Sequence, residues 1–292
     1  MIRILGTIFA GISGLAFGSF LNVCLSRWPQ GESIVQPRSH CRHCTHTLAW
    51  WENIPLISWL ALRGRCRSCH TWIGLRYPLV ELAIGLLWAV TAWRFLPLAL
   101  DPFLSITGYY FYTANAIGKM IFYWLIVALA ALDAEYLWLP NLITLPGTAV
   151  GLILSYVLMI HHYHRPEIGM RYAYPAIYLV LGILAAAALI LLIRWIYWLI
   201  RRHEGIGLGD AKLMALLAAW LGLPGALLAF ALGVVLGSIA ALVLLAIPNA
   251  KTQSESWAAT KLPLGTFLCI GGMVSSLWGQ PIIAAYLHCS GF

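Results

Sequence analysis

Charged side chains are scarce in this chain, since Asp, Glu, Lys and Arg make up 10% of its 292 residues, against about 25% in soluble domains. Acidic residues are the scarcest, with 10 Asp and Glu against 18 Lys and Arg. Hydrophobic residues reach 61%, and so few charges cannot cover that much apolar surface in water. The composition excludes a soluble globular enzyme and predicts an all-α polytopic membrane protein.

Apolar runs of about 20 residues, the length that crosses a bilayer, predict about eight transmembrane helices. We place them near residues 4–26, 79–97, 118–138, 142–160, 175–200, 211–223, 225–247 and 264–287. The sixth is short for a span, and the Gly-Leu-Pro-Gly sequence at 222–225 predicts a tight turn into the seventh. The first run is too long for the apolar region of a signal peptide, so we interpret it as a membrane helix.

The basic residues predict the orientation of these helices, because Lys and Arg are enriched in cytoplasmic loops. The loop after the first helix is rich in arginine, so we expect it in the cytoplasm and the N-terminus outside. Eight helices then place the basic loops 201–212 and 248–263 on the same side. The concentration of Lys and Arg in these loops accounts for the net charge of +8. We therefore expect a lipid bilayer as partner and no nucleic acid.

Two aspartates lie at the ends of apolar runs. Asp133 follows the run 121–132, and Asp210 follows Gly207 and Gly209 just before the run 213–223. A carboxylate at membrane depth costs roughly 2.5–3.5 kcal/mol, which suggests a functional role. The predicted topology places both on the cytoplasmic side. If they share one site, one holds a proton while the other acts as a base, and such a pair can activate water against a peptide carbonyl.

The residues around the aspartates admit other interpretations. Either aspartate could cap a helix, and Asp210 is well placed to do so. A transporter could use both carboxylates to carry protons. Gly205, Gly207 and Gly209 would let an extended substrate approach the backbone. We interpret Glu135 and Lys212 as interfacial residues, and Glu81 as a weaker candidate for a polar role near the cytoplasmic face.

The loop between the first two helices contains two Cys-x-x-Cys pairs, which are Cys41, Cys44, Cys66 and Cys69. The spacing is close to that of a zinc ribbon, and four thiolates would leave a structural zinc no open position. Two disulfides are the alternative, which a cytoplasmic location disfavours. We treat Cys24, Cys269 and Cys289 as small core residues. The chain thus divides into a first helix (1–27), a cysteine-rich zinc loop domain (28–78) and a membrane core (79–292).

An ordered set of motifs resembles the type IV prepilin peptidase family along most of the chain. Besides the cysteine pairs, these motifs are residues 18–23, 53–59, 76–81, 132–141, 207–212 and 262–267. Two positions depart from the family pattern: Thr266 stands where proline is usual, and Asn141 where aspartate is common. The Gly-x-Gly-Asp segment alone would be a weak signal, whereas the ordered set is specific.

The resemblance implies an aspartic endopeptidase of the bacterial inner membrane with Asp133 and Asp210 as its catalytic pair. It implies removal of a short basic leader from type IV prepilins or type II secretion pseudopilins at the cytoplasmic side, typically between Gly and Phe. The resemblance also implies N-methylation of the new terminal residue with S-adenosylmethionine, which many members with the cysteine loop carry out. For that activity the resemblance points to the cytoplasmic loop and nearby polar residues, of which Glu81 is one candidate.

Three alternatives remain beside this interpretation. A presenilin-type intramembrane protease shares the Gly-x-Gly-Asp segment, but it would not explain the cysteine loop, and the chain lacks that group's Pro-Ala-Leu triplet. A proton-coupled transporter would predict internal repeats, and we find no convincing one. An inactive scaffold that binds a partner through the zinc loop would tolerate loss of either aspartate.

Overall fold

The computed structural model describes residues 1–162, 173–202, 207–246 and 262–290, which form helices joined by loops. The helices are α1 Ile2–Arg27, α2 Ile57–Ala61, α3 Arg76–Ala99, α4 Ile106–Tyr136, α5 Asn141–His162, α6 Ala173–Arg201, α7 Leu208–Ala246 and α8 Leu264–Cys289. Within the described ranges the β structure consists of two isolated bridges. The predicted all-α membrane fold is therefore confirmed, while Gly205 and most of the predicted loop 248–263 lie outside the described residues.

Seven helices in the described ranges are long and apolar enough to cross a membrane, rather than eight. The difference lies in α7, which contains both the predicted helix 211–223 and the predicted helix 225–247. Its backbone is broken at Gly222, where φ is 70° and ψ is 169°. Glycine adopts this left-handed φ without the steric cost that a side chain would add.

The chain folds back on itself at this break. Leu217 packs against Gly272 of α8, and Ala229 packs against the neighbouring Gly271. In a straight helix, positions 217 and 229 would be about 18 Å apart, at 1.5 Å per residue. Along residues 223–246, Gly233 contacts Leu268 while the later Gly237 contacts the earlier Phe267, so this arm runs antiparallel to α8.

The first arm of α7, residues 208–221, is too short to cross a membrane. A helix of this length extends about 21 Å, whereas the hydrocarbon core is about 30 Å thick. The hydroxyl of Ser275 on α8 donates a hydrogen bond to the carbonyl of Gly225, 2.8 Å away, just after the break. This bond satisfies a backbone group at the turn, as a polar group away from water requires.

Helix α4 is longer than predicted at its beginning and shorter at its end. It begins at Ile106 rather than near 118. The prediction missed residues 106–117 because they are rich in tyrosine and threonine, and their hydropathy is low although they form a helix. It ends at Tyr136 rather than near Trp138, since Leu137 has a φ of 50° and its N–H bonds to the carbonyl of Asp133 at 2.9 Å. A residue in this left-handed conformation commonly ends a helix.

The chain separates into two compact units, Met1–Ala131 and Leu132–Phe292. In the first, α1 packs closely on α3, and a β-carbon at Gly18 would lie 2.7 Å from the Cα of Glu81. In the second, α7 packs against α5, α6 and α8. Both predicted catalytic aspartates belong to the second unit, and the four paired cysteines and Glu81 to the first. The predicted division at residues 27 and 78 stays a prediction.

Candidate active site and cysteine cluster

Asp133 lies in the last turn of α4 and is 5% exposed. Its Oδ2 accepts a hydrogen bond from the backbone N–H of Thr266 at 2.7 Å and one from the Thr266 hydroxyl at 3.2 Å. The backbone of Gly265 also hydrogen-bonds this carboxyl group. The first turn of α8 has N–H groups without helical partners, and the Asp133 carboxylate satisfies them from another helix.

Asp210 is the third residue of α7 and is 9% exposed. Its backbone N–H donates to the carbonyl of Gly207 at 3.3 Å, and its carboxyl group hydrogen-bonds the backbone of Gly207. The capping alternative therefore keeps support, because each aspartate satisfies backbone groups at the start of a helix. Capping and catalysis are compatible, since both need a fixed carboxylate.

Asp133 and Asp210 line the same cavity of about 600 Å³. Residues 137–142, which connect α4 to α5 and begin α5, line the cavity together with Gly207, Gly209 and Lys212. The structure thus brings together the two aspartates that the sequence singled out. Two acidic groups beside a space large enough for a peptide segment suit general acid and base chemistry.

Two glycines leave room for this arrangement. A β-carbon at Gly265 would lie 2.9 Å from both Cγ and Oδ2 of Asp133, and one at Gly209 would lie 3.1 Å from Leu139. The Gly265 contact involves the carboxylate itself and is closer than a real β-carbon can approach without a shift. The absence of a side chain at Gly265 is therefore a condition for the position of Asp133.

We expect Gly265→Ala to lower peptide cleavage by about tenfold or more, because the added methyl group must displace the Asp133 carboxylate, and small displacements of reacting groups are costly. Gly182→Ala is the matched control, since its β-carbon would lie 3.4 Å from Leu223, an ordinary contact. The measurement is the cleavage rate of both variants in lipid. Equal rates in the two variants would show that Gly265 does not set the position of Asp133.

Lys212 and Asn141 form a polar pair at the edge of the same cavity. The Lys212 Nζ donates a hydrogen bond to Oδ1 of Asn141, 2.7 Å away. Asn141 is one of the two departures from the family pattern, and an amide oxygen is sufficient to accept this bond. We predicted Lys212 as an interfacial anchor, and the structure gives it a specific partner at the start of α5.

A second cavity, of about 590 Å³, lies within the first unit and is lined by Glu81. Glu81 is 7% exposed, its Oε2 accepts the backbone N–H of Leu56 at 2.8 Å, and it hydrogen-bonds the side chains of Ser19 and Asn22. The Oδ1 of Asn22 is buried and has no hydrogen-bond partner. A buried acceptor without a partner beside a cavity indicates a place for a polar ligand or water.

The four paired cysteines come together in one cluster, as their spacing predicted. Their sulfur atoms all lie within 4.8 Å of one another. The distance from Cys41 Sγ to Cys69 Sγ is 3.8 Å, and that from Cys44 Sγ to Cys66 Sγ is 3.9 Å. A tetrahedral zinc with bonds of about 2.3 Å has sulfurs about 3.8 Å apart, whereas a disulfide needs about 2.05 Å. The cluster is compatible with structural zinc, and all four cysteines are free.

The two Cys-x-x-Cys pairs have the same backbone conformation. Thr45 and His70, each one residue after its pair, have φ values of 57° and 54°. Their N–H groups donate to the carbonyls of Cys41 and Cys66 at 2.9 and 3.0 Å. Hydrogen bonds with the side chain and backbone of Thr71 lower the pKa of Cys69 to about 5, which favours the thiolate that binds metal.

The remaining cysteines and the loop histidines take no part in this cluster. Cys24 and Cys269 are buried, as expected of core residues, whereas Cys289 is exposed. Its prediction as a core residue is wrong because it ends α8, beyond the packed part of that helix. The ring of His40 hydrogen-bonds the Arg38 carbonyl at 2.9 Å, and His46 lies 3.8 Å from Glu52.

Three residues with polar contacts at these sites were not assigned a role from the sequence. Thr266 was noted only as a departure from a pattern, although its hydroxyl and N–H both reach Asp133. Ser19 and Asn22 belong to a quoted motif at 18–23, yet nothing in their spacing showed that they meet Glu81. Helical periodicity would place 18, 19 and 22 near one another, but not opposite a particular residue of α3.

Comparison with known proteins relates most of the chain to one family. Residues 12–95 match the bacterial peptidase A24 N-terminal domain, and residues 120–242 match the type IV leader peptidase family. The chain is 33% identical to the prepilin leader peptidase/N-methyltransferase of Stutzerimonas stutzeri over 95% of this chain and 92% of the relative. It is 32% identical to the protein of the same name from Pseudomonas aeruginosa over 96% and 92%. No solved structure matches the chain. The chain therefore belongs to the type IV leader peptidase family.

Proposed function

We propose that this protein is a membrane aspartic endopeptidase that removes the basic leader of type IV prepilins or type II secretion pseudopilins. The observation that carries this proposal is the cavity lined by Asp133 and Asp210. One carboxylate takes a proton from water while the water oxygen attacks the peptide carbonyl, and the other carboxyl group gives its proton to the carbonyl oxygen. The carbon–nitrogen bond then breaks, and the leaving amine takes a proton from the pair.

The substrate class follows from the position of the pair at helix ends. A prepilin combines a basic leader with an apolar helix, so the apolar part lies in the bilayer and the leader stays at a surface rich in anionic lipid. We propose that both aspartates face the cytoplasm, which the arginine-rich loop 28–78 supports. The scissile bond then reaches the depth of the two helix ends that carry the carboxylates.

The test is cleavage of a prepilin by the purified protein in lipid, with the products identified by mass spectrometry. We expect two products that meet at the leader boundary. The double variant Asp133→Ala/Asp210→Ala is the control for a contaminating protease. Absence of cleavage by folded wild-type protein, or equal cleavage by the folded double variant, would contradict the proposal.

We also propose that the cavity at Glu81 serves the second activity, N-methylation of the new terminal amine. Its volume, about 590 Å³, is within the range of small-molecule sites, and the unpaired Oδ1 of Asn22 offers an acceptor. The chemistry that S-adenosylmethionine supplies when bound is an electrophilic methyl group. Glu81, fixed by the backbone N–H of Leu56, can hold the cationic cofactor or the protonated amine by its negative charge.

We expect Glu81→Gln to reduce methyl transfer by about 100-fold or more, because glutamine keeps the shape but can neither carry charge nor accept a proton. Cleavage should change by less than threefold, since the aspartates belong to the other unit. Glu32→Gln is the matched control, because Glu32 lines the same cavity but its side chain is 48% exposed. The readouts are radiolabelled methyl incorporation and cleavage on the same substrate. Full methyl transfer by Glu81→Gln would exclude this role.

We further propose that Cys41, Cys44, Cys66 and Cys69 hold a structural zinc. Two of their sulfur pairs lie 3.8 and 3.9 Å apart, close to the tetrahedral distance, all four sulfurs lie within 4.8 Å of one another, and four thiolates leave no open coordination position. Cys66 is the one buried hydrophobic side chain within residues 28–78, so they have little core of their own. Zinc would then fix the loop that forms one side of the Glu81 cavity.

A further inference from the structure

We propose that Thr266 is a positioning residue that holds Asp133 as the ionised member of the pair, so that Asp210 carries the shared proton. This inference depends on the proposed peptidase function, which it deepens by giving each aspartate a separate role. It starts from the two hydrogen bonds by which a single residue of α8 contacts Oδ2 of Asp133.

The two aspartates differ in the donors around them. Oδ2 of Asp133 accepts the Thr266 N–H at 2.7 Å and the Thr266 hydroxyl at 3.2 Å, and Gly265 adds a backbone contact. Asp210 bonds the backbone of Gly207, next to its own helix. Hydrogen bonds to a carboxylate favour its charged form, and the first turn of α8 adds the positive end of a helix dipole. The group with more donors therefore ionises first.

The other charged or titratable groups near Asp133 do not reverse this difference. From α7 these are Asp210 and Lys212; from α8, the buried thiol of Cys269; and on α4 itself, the exposed Glu135. The α5 residues that line the cavity, Asn141 and Leu142, carry no charge. Lys212 bonds Asn141, and the repulsion that two charged carboxylates would have at this site favours a state in which only one of the pair is ionised.

The site at 266 allows a precise test, because it lies in the first turn of α8. An N–H in that turn has no helical acceptor, so proline is tolerated there. Thr266→Pro removes both donors, Thr266→Val removes only the hydroxyl, and Thr266→Ser keeps both. Residue 266 gives Asp133 two donors in the wild type, and it would give none, one and two in these three variants.

The experiment is the pH dependence of kcat/KM for prepilin cleavage by each variant in lipid. For Thr266→Pro we expect the acidic limb of the pH–rate profile to move to higher pH by about one unit, while the basic limb stays in place. A shift of this size corresponds to the strength of a hydrogen bond to a charged group. Thr266→Val should show a smaller shift, and Thr266→Ser should match the wild type. Damage to the fold would lower the rate at every pH without moving one limb alone.

Two results would overturn the assignment: an acidic limb that is the same in all variants, or a shift of the basic limb instead. If Thr266→Pro does not fold, the position of the acidic limb is compared between Thr266→Val and Thr266→Ser, and equal positions would overturn the assignment. The proposed peptidase function fails separately, when the double aspartate variant cleaves as fast as wild type. Aspartate-dependent cleavage with unmoved limbs refutes only the role of Thr266.

Discussion

Asp133→Asn and Asp210→Asn should each lower kcat for prepilin cleavage by about 1,000-fold or more, while KM changes little. Asparagine keeps the size of aspartate and can still accept the Thr266 bond, but it can neither take nor hold the catalytic proton. Residues that act as one unit are strongly non-additive. The double variant should therefore be about as slow as each single one, rather than slower by the product of the two losses.

The matched control is Glu135→Gln, because Glu135 lies two residues from Asp133 in the last turn of the same helix but is exposed. Rates are measured in lipid together with the thermal unfolding of each variant. A single asparagine variant that folds and retains more than a tenth of the wild-type rate would remove that aspartate from the mechanism. It would also support the alternative in which that carboxyl group only caps a helix.

The second large effect concerns the cysteine cluster. We expect purified protein to contain about one zinc per chain, and Cys66→Ser to lose it together with the ordered structure of the loop. Structural zinc contributes about 10–16 kcal/mol to folding in small domains, far more than this loop can obtain from Cys66, its one buried hydrophobic side chain. Trypsin should then cut the variant between residues 39 and 73 at least about tenfold faster than the wild type.

Cys289→Ser controls for the loss of a thiol, since Cys289 is exposed and lies far along the chain from the cluster. Zinc is measured by elemental analysis, and the cleavage sites of trypsin by mass spectrometry. If chelated wild-type protein resists trypsin as well as the zinc-loaded protein does, the metal does not stabilise the loop. Metal in Cys66→Ser equal to that in wild type would exclude the four-cysteine site.

The cysteine cluster and the aspartate pair could be predicted because each has a clear signature in the sequence. The two cysteines of each Cys-x-x-Cys pair are close in sequence, so only the contact between the two pairs is long-range. Asp133 and Asp210 stood out because carboxylates are rare at the ends of apolar runs. The alternation of helices predicts a common depth for them, which stays a prediction. Their common cavity depends on the packing of α5 and α7, which hydropathy does not report.

Other features could not be predicted, for physical reasons that differ. The bonds from Thr266 to Asp133 join residues 133 positions apart, and no local pattern gives such a pairing. The early start of α4 was missed because a helix rich in tyrosine and threonine is only weakly apolar. The turn at 222–225 was predicted from its Gly and Pro, yet the sequence did not show that the arm before it stops short of a full crossing.

That short arm has a consequence for how the bilayer acts on the enzyme. A helix that reaches both faces of the hydrocarbon tilts or shifts when lipid thickness changes. Residues 208–221 do not reach across. Near the break at Gly222, the indole N–H of Trp220 donates a hydrogen bond to the carbonyl of Gly147 on α5, 2.9 Å away. Hydrophobic mismatch therefore reaches Asp210 only through the neighbouring helices, so its depth is set by protein packing rather than directly by the length of the lipid chains.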